Sequence, residues 1–118
     1  MKTFGDHYEG AAIVLVTRAG LRVVARNFRC RWGEIDIIAR DGHTLAFIEV
    51  RARTHHQYGG AACSVDRRKQ RRIITTAQYF LKQHRIVDCG CRFDVIAFEP
   101  PQSRAPVEPR WIKSAFTI

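Results

Sequence analysis

Long apolar runs are missing from this sequence. The longest, Ala11 to Val16, has six residues, against about 20 for a helix that crosses a bilayer. No membrane-spanning helix is expected, and no long apolar-plus-basic helix is present to lie on a membrane surface. The opening stretch Met1-Lys2-Thr3-Phe4-Gly5-Asp6-His7 lacks the apolar core of a secretory signal, so a cytoplasmic location is expected. Paired cysteine motifs are also missing. Cys30, Cys63, Cys89 and Cys91 include no Cys-x-x-Cys, and Cys89-x-Cys91 has no matching second pair. That argues against a zinc site and for free thiols in a reducing compartment. Acidic residues are scarce: 11 Asp+Glu face 20 Lys+Arg, a net charge of +9. Such a surplus points to a polyanionic partner, most often nucleic acid. The alternative is an inert basic surface.

What is present suffices for a core. Hydrophobic residues make up 46% of the 118, which fits a single domain over residues 1–118 and argues against a disordered tail. Tyr8, Ala11, Ala12, Leu15 and Val16 recur at helical spacing, and Gly20 can end the helix in a left-handed cap. The spacing therefore predicts a helix over 7–19. Leu21 to Phe28, Glu34 to Ala39 and Thr44 to Ala52 alternate as strands, with Asp41-Gly42 as the turn of a hairpin between the last two. Past Gly59-Gly60, Ser64 can cap a helix over 65–84 with Ile73, Ile74, Ala77, Phe80 and Leu81 as its apolar stripe. Strands over 93–98 and 111–116 follow, separated by the proline-rich stretch from Pro100 to Pro109, read as a loop. The class is α/β, a mixed central sheet flanked by helices in the order α-β-β-β-α-β-β.

The hairpin carries the chemistry. A two-residue Asp41-Gly42 loop sets Ile38 opposite Leu45, Asp36 opposite Phe47 and Glu34 opposite Glu49. Glu34, Asp36, Glu49 and Arg51 then gather on one face at the open end, and Ile35, Ile37, Ile48 and Val50 line the other. Two like charges ~4 Å apart at an effective dielectric of ~20 repel by ~4 kcal/mol. Three carboxylates so placed want a divalent cation, a shared proton or arginines. Mg²⁺ suits an oxygen-only site with one or two protein carboxylates and several waters. Neutralisation by Arg31, Arg51 and Arg53 in surface ion pairs is the alternative.

The wider pattern narrows the choice. Gly33-Glu34-Ile35-Asp36-Ile37-Ile38-Ala39-Arg40-Asp41-Gly42, followed by Phe47-Ile48-Glu49-Val50-Arg51-Ala52-Arg53, resembles the YraN family of predicted endonucleases. Gly5-x-x-Tyr8-Glu9-x-x-Ala12, Ala25-Arg26-Asn27-Phe28-Arg29, Val65 to Arg72 and Arg92-Phe93-Asp94-Val95-Ile96 extend the resemblance over nearly the whole chain in order. That family is similar in turn to Holliday-junction resolvases and other nucleases of the restriction-endonuclease-like fold, whose signature is Asp, a gap, then Glu-x-Lys. The resemblance implies a Mg²⁺- or Mn²⁺-dependent nuclease acting on DNA, branched DNA included, with a homodimer by analogy. It implies Asp36 and Glu49 as metal ligands, the Val50 carbonyl as a further ligand, and Glu9 as an accessory acid. Glu9 also reads as an ordinary first-turn glutamate satisfying the helix dipole, and the role of Glu34 stays open.

One departure matters. Arg51 stands where the family has Lys. Arginine stays protonated and cannot act as a base, although it can orient water or neutralise phosphate. An active enzyme, a slow enzyme, and a nucleic-acid-binding module with a degenerate site therefore all stay open. An adaptor for an acidic protein is a weaker alternative.

Arg67, Arg68, Lys69, Arg71 and Arg72 crowd the start of the second helix. Cations there oppose the helix dipole at ~0.3–1 kcal/mol each, and helix N-termini suit phosphate. With Arg53, they are the candidate contacts to a nucleic-acid backbone; a solvated charged face is the alternative. Trp32 and Tyr58 are candidates for stacking on a base, although Trp32 also suits an anchor of its loop. His55-His56 read as a surface pair, and Asp94, Trp111 and Phe116 as structural.

Overall fold

The computed structural model describes residues 4–52, 65–98 and 109–117. Arg53, His55, His56, Tyr58, Gly59-Gly60, Cys63, Ser64 and the stretch from Pro100 to Glu108 lie outside them. Two helices and five strands run in the order α1 (Phe4–Arg18), β1 (Arg22–Cys30), β2 (Gly33–Asp41), β3 (Thr44–Ala52), α2 (Arg67–Gln83), β4 (Gly90–Phe98) and β5 (Arg110–Phe116). The strands form one mixed sheet in sequence order. β3 and β4 pair in parallel across the α2 crossover, and the other neighbours are antiparallel. This is the architecture the sequence implies. Among the described residues no helix is long and apolar enough to cross a membrane.

Two apolar layers hold the helices to opposite faces of the sheet. Ala12 and Val16 of α1 pack with Ile37, Ala39, Ala46, Ile48, Ile96 and Phe98. Ile73, Ala77 and Phe80 of α2 pack with Ile35, Ile38, Leu45, Phe47, Phe93 and Val95. α1 ends as a Schellman motif: Leu21 N–H donates to the Val16 carbonyl and Gly20, at φ 93, donates to that of Thr17. Ala11, assigned to the apolar stripe, is exposed, whereas Glu9, Ala12 and Val16 are buried. These three share a face at i, i+3 and i+7, so Glu9 looks at the sheet and not at solvent.

Two expectations about the hairpin change. The β2–β3 loop is Gly42-His43, not Asp41-Gly42, since Asp41 pairs with Thr44, Ile38 with Phe47 and Ile37 with Ile48. Gly42 takes φ 60 while neither Asp41 nor His43 has positive φ, which fits a turn with Gly at its first central position. Asp41 stays in the strand, and its carboxylate takes a 2.6 Å bond from Arg92 Nη1. The pairing shifts by two positions, so face parity survives, and Asp36 rather than Glu34 comes opposite Glu49. The second change concerns Ile35, which packs with α2, while Ile37, Ile48 and Val50 face α1. Asn27, at φ 51, interrupts β1 between the pairs Arg26–Ile37 and Phe28–Ile35. Asp36, across from it, joins neither ladder, and the alternation resets there.

α2 is capped by Asp66, whose Oδ1 accepts from Lys69 N at 2.8 Å. The buried residues of the helix include Thr76 beside Ile73, Ala77 and Phe80, and Ile74 and Leu81 pack half-buried. Asp94 is structural as read: fully buried, it accepts from Arg92 Nε, Trp111 Nε1 and Ser114 N. Cys30, Cys89 and Cys91 are free thiols.

Candidate functional site

The site lies where β2 and β3 part beyond the Ile37–Ile48 pair. Asp36 fills the opening. Its Oδ2 accepts from the backbone N–H of Val50 at 2.8 Å, taking the place of a ladder bond. Glu49 sits beside it, 6% exposed, because β3 alternates Leu45, Phe47, Glu49 and Arg51 onto the α2 side. Glu34, Asp36, Glu49, Val50 and Arg51 line one concavity of about 640 Å³, whose far wall is the start of α2 with Arg68, Lys69 and Arg72. The predicted cluster is thus brought together.

Charge in this concavity is concentrated and mixed. The Asp36 carboxyl is pushed up to about 7, first by burial, then by the charge of Glu49, and further by Glu9 and Glu34; the Val50 N–H acts in the opposite sense. Glu9 reaches this charge field from α1 while its Oε1 lies 3.9 Å from Arg26 Nη2. Glu34 is drawn outward to Arg29, 3.3 Å away on the exposed side of β1. Glu49 Oε1 meets two cations, Lys69 Nζ at 2.8 Å and Arg51 Nη1 at 3.6 Å.

Lys69 is the residue whose place the sequence reading missed. The basic run of α2 suggests for it only a backbone-gripping role. However, Lys69, Ile73, Thr76 and Phe80 follow one another at i, i+4, i+7 and i+11, so Lys69 continues the buried stripe by one turn and faces the sheet. That spacing was visible in the sequence. Arg68 and Arg72 turn toward the concavity from its rim, whereas Arg71 belongs to a neighbouring hollow with Arg31 and Trp32. Arg67 is exposed, and Arg53 lies outside the described residues.

The family model described as "Uncharacterised protein family UPF0102" matches residues 8–98, the span that carries every acid of this site. The chain belongs to the UPF0102 family. The UPF0102 protein of Aeromonas hydrophila is 49% identical over 114 residues, covering 95% of this chain and 83% of its own. That of Alcanivorax borkumensis is 49% identical over 116 residues, covering 98% and 92%. That of Methylobacillus flagellatus is 42% identical over 117 residues, covering 99% of both. UPF0102 membership bears out the YraN resemblance at the level of family, and the names of these relatives state no activity.

Proposed function

We propose that this UPF0102 protein is a Mg²⁺- or Mn²⁺-dependent nuclease that cuts DNA phosphodiester bonds. One observation carries the reading: Asp36 and Glu49 stand together in a half-buried fork of the sheet, facing the basic start of α2. The donor set fits a hard cation, since it is all oxygen. A carboxyl raised to about 7 by burial and like charges marks an excess of negative charge that a divalent ion relieves. Among the described residues no three or more Asp, Glu, His or Cys side chains form a closed metal cage; Mg²⁺ requires only one or two protein carboxylates, with water completing its shell.

Asp36 and Glu49 would hold the ion, with the Val50 carbonyl as a further ligand. When bound, the ion supplies Lewis acidity and lowers the pKa of a water. The other roles belong to the chain. Arg68 and Arg72 hold the phosphate across the concavity. Arg51 stabilises charge on the phosphate but cannot accept a proton. Lys69 Nζ supplies the amine that Arg51 lacks and orients the attacking water. Glu9 assists from α1 by adding negative charge behind Asp36.

Incubation with branched, single-stranded and duplex DNA and Mn²⁺ tests the proposal. Cleavage that disappears on chelation and in Asp36→Ala is expected. No product from any substrate, or product that survives Asp36→Ala, rejects it.

The ion pairs of Glu49 with Lys69 and Arg51 favour a second reading, a non-catalytic nucleic-acid-binding module whose acids are already neutralised. It requires salt-sensitive binding that chelator does not change, with no cleavage at any metal concentration.

A further inference from the structure

Beside the carboxylate site lies a second hollow, of about 380 Å³, lined by Arg31, Trp32, Arg68, Arg71, Arg72 and Thr75. It has four guanidinium groups and one indole, and among the described residues no carboxylate lines it. Arg31 and Trp32 form the two-residue turn between β1 and β2, closed by the Cys30–Gly33 pair. The turn is held firmly against α2. A Cβ on Gly33, which takes φ 156, would stand 3.2 Å from Thr76 Oγ1, so only glycine lets the turn approach so closely. Trp32 is nevertheless 42% exposed. Its ring meets Tyr79 at 5.5 Å between centroids, and Tyr79 meets Phe28 at 6.2 Å, which joins the core through Phe80. The Arg31 guanidinium lies 5.0 Å from the indole centroid. A large apolar ring, 42% exposed, is therefore braced by Tyr79, with the Arg31 guanidinium over it as a mobile-ended cover that an incoming base displaces.

We infer that this hollow is a stacking subsite for an unpaired nucleobase. It rests on the reading of the neighbouring concavity as a phosphodiester site, and it names the substrate class as nucleic acid with single-stranded character. Two observations select that ligand. Arginines answer to phosphate and indole answers to a base face, and stacking on an exposed aromatic within a cationic groove is how single strands are held. The hollow is also continuous with the carboxylate site, since Arg68 and Arg72, one helical turn apart, line both. A strand whose phosphate is gripped between these arginines presents its adjacent base to Trp32. Bases inside a duplex have both faces covered and cannot reach the ring. An acidic peptide would satisfy the arginines but leave the indole without a partner.

The test is binding of the full chain, in an Asp36→Asn background with EDTA, to a labelled single-stranded oligonucleotide, a blunt duplex of the same sequence, and an abasic strand with the same number of phosphates. Trp32→Ala is expected to weaken the single strand by about 5- to 100-fold, the range for loss of one base–aromatic stack, while Trp32→Phe retains most of the affinity. Duplex and abasic-strand binding are expected to stay unchanged. In Trp111→Phe, which leaves Trp32 as the sole tryptophan of the two, the base-bearing strand quenches emission and the abasic strand does not. Equal losses for all three ligands, no loss for the single strand, or competition by polyglutamate as strong as by the oligonucleotide would overturn the inference. Mn²⁺-dependent cleavage by the otherwise unaltered protein is measured separately. Its absence rejects the nuclease, whereas the Trp32 result, read without metal or cleavage, stands or falls alone.

Discussion

Lys69 Nζ, on the first turn of α2, lies 2.8 Å from Glu49 Oε1 on β3. The helix thereby delivers a primary amine to the acid whose strand neighbour, Arg51, cannot supply one. Lys69→Ala is expected to lower cleavage kcat by roughly 100-fold, the usual scale for a positioned proton-transfer or charge-stabilising group. Arg51→Lys is expected to change it only a few-fold, because the amine is already present. Steady-state cleavage by both variants checks this. Appearance of activity only in Arg51→Lys would support the binding-module reading.

The Asp36 carboxyl gives stability a pH dependence of definite sign. Its folded pKa, about 7, lies above the ordinary aspartate value of 3.8, so the folded chain holds a proton that the unfolded chain has lost across that interval. The contribution is fully present below pH ~4 and is lost as pH rises through 7, on the order of 2–4 kcal/mol in all. Urea unfolding of metal-free protein should show falling stability from pH 5 to 8, and Asp36→Asn should flatten the slope.

Divalent ions should reverse that trend. Mg²⁺ or Mn²⁺ requires the deprotonated carboxylate, so affinity should rise from pH 6 to 8. Bound ion should then raise the unfolding midpoint at pH 8. Calorimetric titration of the wild type and of Glu49→Gln checks it, with the variant expected to bind at least ~10-fold more weakly.

Backbone contacts predict a salt law. With about five phosphates neutralised by α2 and its neighbours, log K should fall against log[salt] with a slope of roughly −4 to −5. Arg68→Ala and Arg72→Ala should each reduce that slope by about one. Fluorescence anisotropy across a salt series measures both.

Asp94 separates folding from chemistry. It is fully buried and bonded to Arg92, Trp111 and Ser114. Asp94→Ala leaves Trp111 Nε1, the Ser114 N–H and Arg92 Nε without their acceptor, Arg92 keeping only Asp41, and is expected to destabilise by ~2–4 kcal/mol. Metal affinity per folded molecule should not change, which denaturant titration and calorimetry together establish.

The order of elements was legible because apolar period and turn residues agreed along the chain; β3 falls on the expected 44–52. The hairpin register was not, because a glycine in a two-residue loop serves two turn types. Only the pairing of Asp41 with Thr44 and the Asp41–Arg92 bond show which one the chain uses. The site acids were legible as a motif. Their closeness was not, since it depends on the positive φ of Asn27 within β1 and on Asp36, across from it, standing out of both ladders. The contact of Lys69 with Glu49 was not legible, because five basic residues in six positions hide the one that shares the apolar stripe.

The bond from Val50 N–H to Asp36 Oδ2 makes one amide a gauge of the whole cleft. Its solvent exchange should be slowed by a side chain that titrates and, on the proposed reading, would hold a divalent cation, so protonation, loading and release should each register there. An isotope-exchange trace at Val50 would thus follow occupancy without any substrate being turned over.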